Sequence, residues 1–137
     1  MKLFIDTWGW VAVADRRDAS HDAASEIFQQ AHRSGGTITS NFVLDETFTH
    51  LFKRRPFEEA WRFTANVVQS PLIDIEEVTE ARFHRTIELR KQFSDKPKIS
   101  FTDLSTMAIM VELGITHILT ADRHFTHVGL GFRALPG

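Results

Sequence analysis

The chain predicts an α/β fold, a three-layer α/β/α sandwich around a mainly parallel central sheet, in one domain spanning residues 1–137. Three observations carry that expectation. Short apolar or β-branched runs alternate with longer segments of helical period, the pattern of strands joined by helical crossovers. Gly and Pro punctuate the junctions, at Gly35-Gly36, Pro56, Pro71 and Gly114. Acidic residues recur where a strand stops or a helix starts. The length suits one domain in the usual range of about 100–200 residues, and no internal repeat, low-complexity stretch or linker divides it.

Residues 2–7 read as a short buried strand, apolar on consecutive positions as central parallel strands are. Helical period runs from about Ala19 to His32 through Ala23, Ala24, Ile27, Phe28 and Ala31, and stops at Gly35-Gly36. Thr37 to Ser40 is a second strand. Ser40 or Asn41 can cap the following helix, which carries Leu44, Thr47, Phe48 and Leu51 on one face. Lys53-Arg54-Arg55 and Pro56 end it, and Pro56 suits the first position of another helix through Val68. Ser70-Pro71 is a break, Leu72 to Ile75 a brief strand, and about Thr79 to Phe93 a helix. After a loop from Ser94 to Lys98, a helix runs from about Phe101 to Leu113 and Gly114 ends it. A strand from His117 to Ala121 follows, with a last short strand near Phe132 to Leu135.

Composition narrows the function. Hydrophobic residues at 42% and charged residues at 25% are ordinary for a globular chain. A formal charge of -2 excludes a strongly basic protein that coats nucleic acid, while leaving room for local basic patches. Without Cys there are no disulfides, thiolate metal sites or Cys nucleophiles. The N-terminus has the outline of a secretory signal, one Lys before an apolar run ending in Ala12-Val13-Ala14, but Asp6, Trp8 and Trp10 inside that run argue against it. No stretch reaches the ~18 uninterrupted apolar residues of a membrane span. The expected location is cytoplasmic, with no membrane association.

The acidic residues are the sharpest feature. Asp6 ends the run Lys2-Leu3-Phe4-Ile5, Glu46 lies in the first turns of the helix after the second strand, Asp103 follows Ser100-Phe101-Thr102, and Asp122 ends His117 to Ala121. In a parallel sheet, strand ends and the helix starts that follow them meet at the carboxyl edge, where such folds bind ligands. Carboxylates meeting there repel by about 4 kcal/mol per pair at ~4 Å and an effective dielectric near 20. The cluster therefore calls for a bound cation or a shared proton. Each acid also has an ordinary reading. Asp6 suits a turn, Glu46 a solvated helix face, and Asp122 a pair with Arg123. Asp103 completes a Ser100-x-x-Asp103 cap. All four coinciding by such routes is much less probable than any one. Spacing alone does not choose between Asp45 and Glu46.

Other arrangements are weaker. His124-x-x-His127 lacks third and fourth zinc ligands at structural spacing and reads as surface or loop histidines. No Gly-rich phosphate loop is present. Basic residues collect at Lys53-Arg54-Arg55 and at Arg82, Arg85, Arg90, Lys91, Lys96 and Lys98, either as solvated faces or as a rim for a nucleic-acid backbone beside an acidic floor.

The succession Leu-Phe-Ile-Asp6-Thr7, Thr39-Ser40-x5-Glu46, Ser100-Phe-Thr-Asp103 with Ala108 downstream, and Ile118-Leu-Thr120-Ala-Asp122-Arg-His-Phe resembles the PIN-domain nucleases. It is especially similar to VapC-type ribonuclease toxins of toxin–antitoxin pairs. The resemblance covers Met1 to about Phe125 in the family's order and spacing. It implies a Mg²⁺-dependent endoribonuclease (with Mn²⁺ able to substitute) whose catalytic acids are Asp6, Glu46, Asp103 and Asp122. Asp6 and Asp103 are then the usual metal ligands, with Asp122 supporting them or binding a second ion. Glu46, chosen over Asp45 by its distance from Thr39, orients water or metal. Thr7 and Thr120 fall at polar positions that line the site. The resemblance further implies an RNA substrate, an antitoxin protein partner and dimerisation. One departure is Asp45 beside Glu46, where the toxins usually carry a small or apolar residue. A reading from a different class is a non-catalytic PIN-like scaffold that binds RNA or protein; the intact acidic quartet argues against it. Phe48, Phe52, Phe57, Trp61 and Phe63, close in sequence around a basic break, lead to the expectation of a homodimer.

Overall fold

A computed structural model describes residues 1–137. Its strands are β1 (Leu3–Ile5), β2 (Thr37–Ser40), β3 (Ile73–Glu76), β4 (His117–Leu119) and β5 (Arg133–Leu135). Its helices are α1 (Thr7–Ala14), α2 (His21–Arg33), α3 (Asn41–Arg54), α4 (Phe57–Gln69), α5 (Glu80–Gln92), α6 (Phe101–Leu113) and α7 (His124–His127). The strands form one sheet in the order β3-β2-β1-β4-β5, every pairing parallel. The first two crossovers step in one direction and β3 to β4 returns in the other. Right-handed connections therefore place α1–α4 and α5–α6 on opposite faces, giving the three layers.

The central strands β1 and β4 are buried, with Leu3, Phe4, Ile5, Ile118 and Leu119 at 0% exposure. Their neighbour contact sets the topological switch point, since the strand order reverses between β1 and β4. The Asp6 amide continues the ladder by donating to Leu119 O at 3.2 Å, so the first acid is fixed to the end of β4 as well as to its own strand.

Two helices depart from the sequence expectation. Residues 2–7 form a strand only over Leu3–Ile5, and α1 begins at Thr7 with Asp6 at its N-cap. Thr7 to Ala14 is apolar nearly all round, so it shows no helical stripe; it lies against β4 on one side and α2 and α3 on others. A Cβ at Gly9 would lie 2.7 Å from Leu119 O, which measures how close α1 sits to the sheet. Trp10 fills the layer behind, its indole NH donating to Thr39 Oγ1 at 3.0 Å and Thr39 donating to Ile5 O at 3.1 Å. The other unforeseen helix is α7, a single turn, and β4 stops at Leu119 rather than Ala121.

The expected caps are present. Ser40, rather than Asn41, accepts from the Val43 amide and starts α3, while Ser100 accepts from the Asp103 amide and starts α6. Pro56 stands one residue before α4 rather than inside it. Gly114 ends α6 at φ 67°, the left-handed geometry that glycine adopts without strain. No helix is long and apolar enough to cross a membrane.

Of the clustered aromatics, Phe48 and Phe63 pack against the core. Only Phe57 and Trp61 are largely exposed, stacked 6.2 Å apart, with Phe52 against Phe57 at 5.4 Å. A second apolar patch, Phe83 and Ile87 on α5 with Val111 and Leu113 on α6, is also exposed.

Candidate active site

Asp6, Asp103 and Asp122 meet at the carboxyl edge of the sheet, beside the switch point, and Glu46 stands at its rim. Thr120, buried just past β4, joins two of them: its hydroxyl donates to Asp6 Oδ2 at 2.7 Å and accepts from the Asp122 amide at 3.1 Å. Thr7 performs the same office on the other flank, donating to Glu46 Oε1 at 2.9 Å. Thr7 and Thr120 thus fix the directions of carboxylates from other motifs, Glu46 and Asp6 respectively. Asp103 enters from the first turn of α6. Ser100 caps that turn through the Asp103 amide, so the cap leaves the carboxyl group free to face Asp6 and Asp122.

The electrostatics run one way. Burial pushes the Asp6 carboxyl up to about 6, against hydrogen bonds from Thr120 and the Thr7 amide, and the charges of Glu46 and Asp122 add to the rise. Burial likewise lifts Asp103 to about 8, helped by the charge of Asp6 and by the closeness of Asp122; Ser100 pulls the other way. Lys and Arg pair with acids elsewhere, but none pairs with Asp6, Glu46, Asp103 or Asp122. The cluster is acidic, half-enclosed and uncompensated by protein cations. Such oxygen donors fit a hard divalent cation, whose charge would offset the repulsion among the carboxylates.

The tightest set of ligand atoms consists of Asp103, Asp122 and His124, all within 4.8 Å of one another. Asp6 stands behind them, 5% exposed, and reaches the group through Thr120 and through its charge on Asp103. His124 is the residue that sequence reading did not place here. Its amide donates to Asp122 Oδ1 at 2.8 Å, and its Nδ1 lies 3.1 Å from the same oxygen. The signal was the Asp122-x-His124 spacing, since an Asp commonly accepts from the amide two residues on and so turns that side chain back. His127 remains an exposed residue of α7. Asp45, the rival of Glu46, makes no hydrogen bond to Thr7, whose hydroxyl is given to Glu46 instead.

Clefts surround the acids. One of about 350 Å³ is lined by Trp8, Thr120, Asp122, Arg123 and Thr126. Another, entirely polar, of about 460 Å³, runs from Thr7 and Glu46 along α3 to His50, Lys53 and Arg54. The arrangement can hold a divalent cation on an acidic floor, with basic side chains at its margin.

Comparison with known proteins gives consistent results. The PIN domain family model matches residues 3–130. The 23S rRNA-specific endonuclease VapC20 of Mycobacterium tuberculosis, from strains CDC 1551 and H37Rv, is 31% identical over 127 residues, covering 93% of this chain and 94% of that protein. The crystal structure of M. tuberculosis VapC20, a Sarcin-Ricin loop cleaving toxin, superposes with a TM-score of 0.82 at 28% identity, covering 93% of this chain and 95% of that one. VapBC2 of Rickettsia felis, bound to a DNA fragment from its promoter, superposes with a TM-score of 0.75 over 98% of this chain and 97% of that one. At 16% identity that likeness speaks for the fold alone.

Proposed function

The chain belongs to the PIN-domain family, and from that premise we propose that it is a Mg²⁺-dependent endoribonuclease of the VapC toxin type, hydrolysing phosphodiester bonds in structured RNA. The observation that carries this reading is the meeting of Asp6, Asp103 and Asp122 beside Glu46 with no protein cation to balance them. The likeness to an rRNA-specific endonuclease over 93% of the chain supports RNA as the substrate class.

Asp6, Asp103 and Asp122 would hold the metal. Bound Mg²⁺ or Mn²⁺ supplies Lewis-acid chemistry, lowering the pKa of a water and offsetting charge on the phosphate. The protein's own part is orientation. Thr120 locks Asp6 and the backbone of Asp122 to one another, so two of the metal-binding carboxylates come from adjacent strand ends with a common hydroxyl between them. Thr7 occupies one oxygen of Glu46, leaving the other to orient the attacking water and take its proton. Attack at phosphorus forms one P–O bond as the bond to the leaving ribose oxygen breaks. His124, a soft donor for Mg²⁺, holds Asp122 in place through its amide rather than serving as a ligand.

The toxin role brings an antitoxin partner, an RNA substrate and a cytoplasmic site of action. The exposed Phe57–Trp61 stack, with Phe52 beneath it, and the Phe83–Ile87 patch are apolar surfaces of the kind that partners cover, and we assign a homodimer to one of them. Light scattering at tens of micromolar (roughly the range of weak dimers) tests this, a monomer counting against it.

The decisive assay is cleavage of a structured RNA with Mg²⁺, with Mn²⁺ and with EDTA. Cleavage is expected only with metal, and Asp6→Asn or Asp103→Asn should abolish it without loss of fold. Metal-independent cleavage by the Asp6→Asn protein would sink the assignment.

A further inference from the structure

Apart from the cleft that reaches Lys53 and Arg54, a polar cleft of about 300 Å³ is lined by Asp95, Lys96, Pro97, Lys98, His124 and His127. Its wall at His124 is shared with the acidic floor, because His124 lies in the tight group with Asp103 and Asp122. Two separate elements supply it: the lysines Lys96 and Lys98 come from the loop between α5 and α6, and the His127 imidazole from α7.

Exposed lysines on a loop are ordinarily mobile and solvated. This loop is held. Arg90 extends from the last turn of α5 and gives its guanidinium to three loop carbonyls: Ile99 O at 2.6 Å, Phe93 O at 2.8 Å and Lys96 O at 2.7 Å. The loop's ends are anchored by Phe93 and Ile99, buried at 7% and 2% exposure. Within it, Lys96 N donates to Phe93 O at 2.9 Å and Ile99 N to Lys96 O at 3.2 Å. Arg90 makes no ion pair, so a cation that might have served the surface instead satisfies backbone. Lys98 and the His127 imidazole have no acidic partner, and Lys96 has only exposed Asp95 at 2.9 Å, a pair of the weak kind.

We propose that this Arg90-clamped loop, with His127, is a phosphate-binding subsite that grips the RNA backbone next to the acidic floor. The inference rests on the reading of the protein as an RNA hydrolase. A polyanion entering a cleft of carboxylates meets repulsion, and fixed cations on the adjoining wall offset it at the neighbouring phosphates without reaching the bond that is cut. Lys96, Lys98 and His127 contact the backbone; Arg90 is a positioning residue that acts through the loop. Such contacts set register and affinity and carry no sequence information of their own.

The test uses the full chain in EDTA, where no hydrolysis occurs, and a fluorescein-labelled stem–loop RNA titrated at several KCl concentrations. The Lys96→Ala/Lys98→Ala protein should bind about tenfold more weakly, and its plot of log affinity against log salt should be shallower by roughly one to two. With Mg²⁺ restored, KM should rise with kcat little changed. Arg90→Lys keeps the charge but loses the fork: amide hydrogen exchange across residues 94–98 should speed up and RNA affinity should fall. Wild-type affinity and salt slope in the double variant overturn the subsite, as does absence of RNA binding by the wild type. Failure of the hydrolase reading shows separately, as tight, Lys96/Lys98-dependent binding by a protein that cuts no RNA in any metal.

Discussion

Two clusters of carboxylates in this molecule behave in opposite ways. Around Arg82, Glu112 receives both Nε and Nη2, at 3.1 and 2.8 Å, Glu76 receives Nη2 at 2.9 Å, and Nη1 donates to Glu77 O at 2.7 Å. The hydrogen bonds of Arg82 hold the Glu112 carboxyl below its ordinary range; Glu76 is likewise lowered, first by a hydrogen bond with Asp74 and then by Arg82. At the end of β1, Asp6 and Asp103 rise to about 6 and about 8. The residue types are nearly the same; the partners differ. Arg82 ties β3, α5 and α6 together and leaves no charge for a ligand, whereas the acids at the switch point are held by hydroxyls and amides that fix direction without neutralising. Arg82 thus lowers the two carboxylates it touches, while Asp74, whose first partner is Glu76, rises as the acids at the switch point do.

Substitution at the two centres should separate them most sharply. Asp103→Asn is expected to lower RNA cleavage by at least about a thousandfold, ~4 kcal/mol of barrier, with no loss in thermal stability without metal. Arg82→Met should leave turnover near wild type and lower unfolding free energy by about 1–3 kcal/mol, since two carboxylates lose a charged donor in a half-exposed setting. Chemical denaturation and a cleavage assay on the same samples check both. A stable, active Asp103→Asn protein, or an inactive Arg82→Met one, breaks the comparison.

Metal should act on one centre only. At a hundredfold excess over its Kd, Mg²⁺ is expected to stabilise the wild type and Arg82→Met by about 2.7 kcal/mol, and Asp103→Asn by clearly less. Equal thermal shifts in all three proteins would mean that the cation binds elsewhere.

A smaller effect is expected without metal. Asp6→Asn should stabilise the fold by ~1 kcal/mol at pH 7, because a buried group that repels its neighbours is replaced by a neutral one. The pH dependence has two limbs of opposite sign. Asp6 and Asp103 bind protons more tightly folded than unfolded, so metal-free stability should fall as pH rises from about 4 through about 6 and about 8. Glu76 and Glu112 release protons more readily folded, so their contribution is present above the unfolded values near 4.5 and is lost below them. Thermal melts in EDTA across pH 3–9 should therefore show a flatter upper limb in Asp103→Asn and a flatter lower limb in Arg82→Met. Interchanged limbs would reverse the assignment of the two clusters.

Much of this was legible in the residues. β1 declared itself as an unbroken apolar run because both faces of a central parallel strand are covered. The helices α2 to α6 appeared through their stripes and caps, and the four acids through their places at strand ends and helix starts. What escaped was of another kind. The segment that forms α1 is apolar all round, because the fold surrounds it, so it carried no periodicity to read. A single turn such as α7 is too short to show any. Phe48 and Phe63 could not be told from Phe57 and Trp61 by type, though the first two are packed inward and the others exposed.

The sequence by itself determined the three-layer class, the strands, the helices α2 to α6 and the positions of the acids, since hydrophobic period, capping residues and strand-end position are local properties of the chain. Only the tertiary structure decided which groups meet. It brought Thr120 to Asp6 across 114 positions, Thr7 to Glu46 across 39, and Arg82 to Glu112 across 30. It also turned His124 toward Asp103 and set Arg90 under the loop that carries Lys96 and Lys98. A charge's pKa, and so its use, depends on solvent and partners within a few ångströms, and those are fixed by sheet order and helix packing rather than by neighbours along the chain.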